Sequence, residues 1–491
     1  MRTLKNVLLG SLLVASASSC SKLDDFVGGH GGGDDKKKEV ALKNHSDVPA
    51  YFKLDPAFSS VKVYSLLSSG DVLMDSPDFV YGSMADGAGL IKEDDGTFTL
   101  INNLEADYSI ARITFDETFK PMKGEYILNA IATASTAQCS GSLITPEEHG
   151  FGPMYLSGGE WGGASKGVFS TDPYKSVSNA AVATMLPAFG QWSTENAVVI
   201  GKDAFPGKTV AFIGDDHSDD EVPSGQLGMY VGNHGDLNGG KLYTLKVSDA
   251  TIAYEMDMEE GETYEVEFVE MQERTIDLLD AEAKEKGAMG FSRLEDIDWR
   301  RGIPANQREV YMAVTGRKKD GLVGKGTLYG RVYKLVLSEN DPTKGTITCV
   351  LDGDMLDGKA KSFHSPDNIV VTENYAYIQE DPNGYPDTPD KAHYAQLYQY
   401  NLNNGELKTV LECDQDAAAA NGIGTTDNNW EITGMIDVSK ELGIDNTFIM
   451  ITQNHGWVPA DGSGFTDPMA NSSADATKEG SQLFVLKGLP N

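Results

Sequence analysis

One local pattern recurs from about Val61 to the end of the chain. An apolar run that ends in polar, often acidic, residues is followed by a variable loop and then by a second run that opens on a small residue. Residues 210–216 lead to 225–231, 310–315 to 330–336, 375–381 to 395–400, and 447–455 to 481–486. Runs such as 97–101, 109–115, 241–247 and 263–269 alternate apolar and polar residues with Val, Ile, Thr, Tyr and Phe prominent, the signature of half-buried strands. Only 274–286, with Leu278, Leu279 and Ala281 among charges, reads as a helix. The expectation is an all-β chain. Strand pairs repeated in this way suit the blades of a propeller, whose loops converge on a central channel; a large β-sandwich shares the local pattern. The 53 glycines fit a chain with many turns.

The amino terminus does not share the pattern. Arg2 and Lys5 precede an apolar stretch at 7–15, and Ala17-Ser-Ser-Cys20 supplies small residues ending on cysteine. This resembles a bacterial lipoprotein signal with Cys20 as the acylated residue, and the Ser-Lys-Leu-Asp-Asp that follows resembles the acidic signal that sends some bacterial lipoproteins to the cell surface. The division expected is a signal peptide at 1–19, a Gly- and Asp/Lys-rich flexible tether at 20–55, and a β domain at 56–491, anchored to the outer membrane or cell surface through lipid on Cys20 and monomeric.

The formal charge of −34 becomes two units more negative once Arg2 and Lys5 leave, and no basic run outlasts Lys36-Lys-Lys38. Nucleic acid is therefore excluded as a partner. A phosphorylated substrate is compatible only if bound cations invert the local field. Beyond the leader the cysteines are Cys139, Cys349 and Cys413, an odd set for an exported chain, so one is a candidate free thiol or metal ligand; whether Cys349 and Cys413 pair is left open by the sequence.

Several loop-flanked stretches concentrate acceptors: residues 138–148 with Cys139, Glu147 and Glu148; the acidic run 215–221; 365–368; 379–383; and 430–437. Such oxygens suit hard cations, and a thiolate suits a transition ion. In the stretch 291–299, an extended backbone would put Arg293 and Glu295 on one face, an anion contact beside a metal ligand.

Taken in order, Cys139-Ser-Gly with Thr145-Pro-Glu-Glu148, Gly214-Asp-Asp216 before Gln226-Leu-Gly-Met-Tyr-Val-Gly232, Phe291-Ser-Arg-Leu-Glu-Asp296, Ser365-Pro-Asp-Asn368 with Ile378-Gln-Glu-Asp381, and Glu431-Ile-Thr-Gly434 before Gln453-Asn-His455 resemble the PhoX-type alkaline phosphatase family. Ala85-Asp-Gly87, Asn103-Leu-Glu105 and Thr194-Glu-Asn196 look like further signatures of it. The resemblance implies a six-bladed propeller whose channel holds Fe(III) and Ca2+, with a bridging oxygen as nucleophile. It implies iron ligands at Cys139, Glu147 or Glu148, and Glu295, a carboxylate ligand at Asp215, calcium or bridging ligands at Glu380 and Glu431, and a phosphate contact at Arg293. Leu104 and Thr194 stand where the family often has His, and the interval from Cys139 to Glu147 is shorter than usual. The function implied is release of phosphate from extracellular esters. The rivals are an inactive calcium-binding propeller acting as a surface scaffold, and a metal-dependent lactonase or esterase.

Overall fold

The computed structural model describes residues 39–217, 219–382, 392–473 and 477–491. The signal peptide and the first part of the tether lie outside the described residues. The chain is all-β and its strands form five antiparallel sheets. Each of the four sequence-predicted strand pairs is a hairpin: Lys208–Asp215 with Gly225–Asn233, Glu309–Val314 with Arg331–Ser338, Tyr375–Glu380 with Gln396–Asn401, and Thr447–Asn454 with Gly480–Lys487. The one longer helix among the described residues is Ile276–Glu285, where the periodicity placed it; its Leu279 and Ala283 are buried.

Six strands line the middle of the molecule: β1 (Ala85–Lys92), β2 (Thr136–Ile144), β3 (Thr194–Val199), β4 (Leu294–Trp299), β5 (Pro366–Val371) and β6 (Glu431–Asp437). They touch one another in succession, and β6 returns to β1. This closed ring makes the arrangement propeller-like and differs from a two-layer sandwich. The sheets that start at β3 and β4 are fused, because Thr263–Met271 pairs with the last strand of both, Lys241–Val247 and Asp341–Asp352. The ring closes where Lys62–Ser68, near the start of the described chain, pairs with Gly480–Lys487 at its end.

Packed structure begins before residue 56, inside the stretch expected to be tether. Phe52–Leu54 pairs with Leu407–Cys413, Val40 and Leu42 rest on an apolar cluster, and the Asn44 side chain accepts the Ser65 N–H at 3.0 Å. The core lies between neighbouring sheets; the largest cluster joins Phe212, Met229, Phe291, Tyr333 and Ile347. Cys349 and Cys413 are buried free thiols.

Candidate metal centre

Each inner strand carries the same irregularity. The ladder to its neighbour skips two residues, just inside the start of four strands and mid-strand in β2 and β6: Asp86-Gly87 in β1, Cys139-Ser140 in β2, Glu195-Asn196 in β3, Glu295-Asp296 in β4, Asp367-Asn368 in β5 and Gly434-Met435 in β6. A bulge leaves residues unpaired and re-aims their side chains. Five of the six skipped pairs therefore present a carboxylate or thiol at one end of the ring, and Glu431 adds another from the first position of β6. The second strands end beside these starts, Ala85 opposite Leu104, Thr194 opposite Asp215, Pro366 opposite Glu380 and Glu431 opposite Gln453. That register delivers Glu105, Asp216, Asp381 and His455 to the same end.

Three groups of donor atoms lie close enough together to share a cation: Asp86, Cys139 and Glu195; Glu105, Cys139 and Glu160; and Asp381, Glu431 and His455. Cys139 belongs to two of them, and its Sγ donates to Glu160 Oε2 at 3.1 Å. Trp161 Nε1 donates to Glu105 Oε1 at 2.5 Å and Gln453 Nε2 to Glu105 Oε2 at 2.9 Å, while the Ser140 N–H donates to Glu195 Oε1 at 3.0 Å. His455 Nδ1 meets Glu479 Oε2 at 2.7 Å, which orients the other ring nitrogen.

Arg293 sits in the left-handed region at φ +67°, between the two-residue strand Gly290–Phe291 and β4. The stretch is thus kinked, and the extended backbone that would have set Arg293 and Glu295 on one face is absent. The two meet nevertheless: Arg293 Nη2 lies 2.9 Å from Glu295 Oε1, while Nε and Nη2 donate to Asp216 at 3.1 Å.

Burial pushes the carboxyls of Asp86, Glu160, Glu295, Asp367 and Glu431 well above their ordinary range, and neighbouring carboxylates push further, while Arg293 pulls Glu295 and, more weakly, Asp367 back. Glu195 rises to about 7 for the same reasons. Burial, then Glu105 and Glu195, push the Cys139 thiol up. Arg293 and the His455 imidazole are set among these acids. Burial disfavours charge on His455, but the Glu479 hydrogen bond and nearby carboxylates outweigh it and raise its pKa. Among the buried side chains, Asn103 Oδ1, Asn196 Oδ1, Asn368 Oδ1 and Gln453 Oε1 have no hydrogen-bond partner. Crowded carboxylates, a thiol and unpaired amide oxygens fit cations.

The expected residues distribute unevenly. Cys139 and Glu431 are in the donor groups, and Glu295 stands beside Arg293. Asp215 is buried, but its carboxylate accepts the N–H groups of Ser193 at 2.9 Å and Gln226 at 3.3 Å, and Asp216 faces Arg293 instead. Glu380 is occupied by His364 N–H, His393 Nε2 and Gln396 N–H at 2.8–2.9 Å, and Asp381 joins the donor group. Glu147 and Glu148 lie elsewhere. They follow β2, in the short helix Pro146–His149, and line a cavity of about 520 Å³ together with the last residues of the inner strands, such as Trp299 and Asp437. Glu147 pairs with Lys440 and Glu148 with Arg301. The carboxylate that reaches Cys139 is Glu160, across the hairpin from β2. In the acidic run, Asp219 pairs with Lys284, and Asp220 with Arg317 and Lys319.

The class defined by these observations is a propeller-like β protein whose ring of inner strands crowds acids, a thiol and an arginine at one mouth. Residues 167–450 match the family model "Alkaline phosphatase PhoX", more than half of the chain, and the protein belongs to the PhoX alkaline phosphatase family of phosphatase hydrolases. Among solved structures, the Pseudomonas fluorescens PhoX in complex with vanadate, a transition state analogue, is similar at 14% identity and a TM-score of 0.60, covering 91% of this chain and 98% of that one. The Neurospora crassa Pan2 WD40 domain is similar at 8% identity and a TM-score of 0.35, covering 86% and 95%. A family 43 β-1,3-galactosidase with galactodeoxynojirimycin is similar at 12% and 0.33, covering 79% and 90%. No curated protein matches the chain.

Proposed function

We propose that this chain is a metal-dependent phosphomonoesterase that releases phosphate from extracellular esters, on a six-bladed propeller tethered to the bacterial surface through Cys20. Reading the fused sheet as two blades supports the count of six, one for each inner strand. The observation that carries the activity is the ring of re-aimed acids around Cys139 with Arg293 at its edge.

Cys139 with Asp86, Glu105, Glu160 and Glu195, one thiol among carboxylates, suits a transition ion such as ferric iron. Asp381, Glu431 and His455 include an imidazole, which favours a transition ion over calcium at that group. The remaining carboxylates and the unpaired amide oxygens suit calcium. Cations there supply Lewis acidity and cancel the negative field a phosphate dianion meets.

The chain's own residues do the rest. Arg293 offers planar donors that match phosphate oxygens, and Asp216 and Glu295 fix its plane. The contacts to these two acids run through Nε and Nη2 of the guanidinium. Burial of the donor groups excludes bulk water, which strengthens every charge interaction within.

The experiment is hydrolysis of an aryl phosphate by the full mature chain loaded with iron and calcium, assayed across alkaline pH alongside carboxylic esters and lactones. Phosphate-ester turnover is expected. Calcium binding without turnover supports the scaffold reading, and turnover of esters alone supports the esterase reading; either overturns the proposal.

A further inference from the structure

Arg293, the phosphate contact of the proposed function, has a strained backbone at φ +67°. A non-glycine residue in the left-handed region lies about 1–2 kcal/mol above its right-handed alternative and persists only where the surroundings fix it. Two of the restraints are local to the sheet: the Thr315 N–H donates to Arg293 O at 3.0 Å, and the Gly316 N–H to Ser292 O at 2.9 Å. The third comes from Glu255, far away in sequence.

Glu255 opens a short 3-10 helix, Glu255–Asp257, inserted between two outer strands, and it is fully buried. Its Oε1 accepts the Ser292 N–H at 3.0 Å and the Thr327 N–H at 2.9 Å. Ser292 is the residue before Arg293. Thr327 ends the loop that carries Arg317, Lys319 and Lys325, which pair with Asp220 and the Glu221 carbonyl. Packing leaves no slack: a Cβ added at Gly326 would lie 2.0 Å from Ser292 Oγ. The helix is itself held from behind, since Arg331 Nη1 donates to Glu255 O at 2.5 Å and to Met258 O at 3.1 Å, and Arg331 Nη2 meets Asp352 Oδ2 at 2.6 Å. Burial raises the Glu255 carboxyl to about 7, against which its hydrogen bonds and Arg331 pull it down. A fully buried carboxyl whose Oε1 takes two backbone donors while its Oε2 has no partner bears that desolvation cost for geometry.

We infer that Glu255 is a positioning residue for phosphate binding: it staples the turn that carries Arg293 to the end of the basic loop, and so fixes the guanidinium where the phosphate must meet it. The inference rests on the reading of Arg293 as the phosphate contact. A displacement of about 1 Å in such a group costs on the order of a hundredfold, so partial release of the turn is visible in affinity.

The test measures the inhibition constant of inorganic phosphate, kcat and KM for an aryl phosphate, and bound metal, using the metal-loaded mature chain. Glu255→Ala and, as a milder change that keeps the carboxylate, Glu255→Asp are expected to raise the phosphate inhibition constant and KM by about tenfold or more at unchanged metal content. Glu255→Gln retains Oε1 as an acceptor and is expected to stay within about threefold of the parent. Arg293→Ala is the reference. If it weakens phosphate while Glu255→Ala and Glu255→Asp only lower thermal stability, the positioning role is overturned. Loss of metal in the Glu255 variants overturns it as well, because the residue then acts through the cation sites. If Arg293→Ala leaves phosphate inhibition unchanged, the reading of Arg293 fails and the inference falls with it.

Discussion

At the scale of single residues, the sequence reached the neighbourhood of the centre more reliably than its members. Cys139 and Glu431 were legible through the resemblance of their stretches, 138–148 and 430–437, to the PhoX family, and both stand in the donor groups. Asp215 and Glu380 illustrate the limit. Each is the last residue of a strand, and the next residue, Asp216 or Asp381, faces the centre. Side chains alternate across a strand, so a one-residue difference at its end changes face, and the sequence does not fix where pairing stops. Glu160 is distant from Cys139 in sequence, and only the hairpin brings it within 3.1 Å, so no local pattern marks it. This placement makes a sharp prediction. Cys139→Ala and Glu160→Gln should each lower the metal-to-protein ratio by at least one ion, and a ferric thiolate absorption band should vanish in the former. Glu147→Gln and Glu148→Gln, which disturb only partly exposed ion pairs worth about 0–1 kcal/mol, should leave metal content unchanged. Metal analysis of the four variants decides it; loss of an ion from the Glu147 variant would reverse the assignment.

At the scale of elements, strand pairs were readable because they follow from period-two alternation and turn residues. The device that builds the centre was not read, although its text is present. Ala85-Asp-Gly-Ala88, Gln138-Cys-Ser-Gly141, Thr194-Glu-Asn-Ala197, Leu294-Glu-Asp-Ile297 and Pro366-Asp-Asn-Ile369 each set an acid or thiol and a small or polar residue between the two partners that flank a break in the ladder. Four residues of loose chemistry at uneven intervals carry no periodic signal, and a bulge depends on the partner strand as much as on its own sequence. Gly87 shows how tightly the device is packed: a Cβ there would lie 2.2 Å from the Gly141 backbone nitrogen. Gly87→Ala should therefore push β1 away from β2 beside Cys139. The expected cost is about 1–3 kcal/mol in unfolding free energy, the usual range for overpacking, together with reduced metal occupancy. Denaturant unfolding of the metal-free forms measures the first and metal analysis the second; a variant with parental stability and metal content would show that the ring accommodates the methyl group.

At the scale of the whole molecule, a chain of formal charge −34 gathers buried acids into one mouth of its central ring, so the metal-free fold works against itself. The burial and mutual repulsion that raise the carboxyls of Asp86, Glu160, Glu195, Glu295, Asp367 and Glu431 mean that the folded state binds protons which the unfolded chain, with carboxyl pKa values near 4, releases. Stability then falls as pH rises, beginning at the unfolded pKa and continuing through the folded one, which for Glu195 is about 7. Metal-free protein should accordingly melt at a higher temperature at about pH 5.5 than at about pH 8.5, an interval over which ionised carboxylates in salt bridges, with lowered pKa values, contribute no slope. Cations that bind the folded centre should remove the slope, because they replace the protons; a ligand at a hundredfold excess over its dissociation constant adds about 2.7 kcal/mol. Thermal melts of chelator-treated and of iron- and calcium-loaded protein at the two pH values test this. A chelated protein as stable at the higher pH as at the lower would mean that the acids are balanced by the fold itself, and the case for cations at the ring's mouth would lose its electrostatic basis.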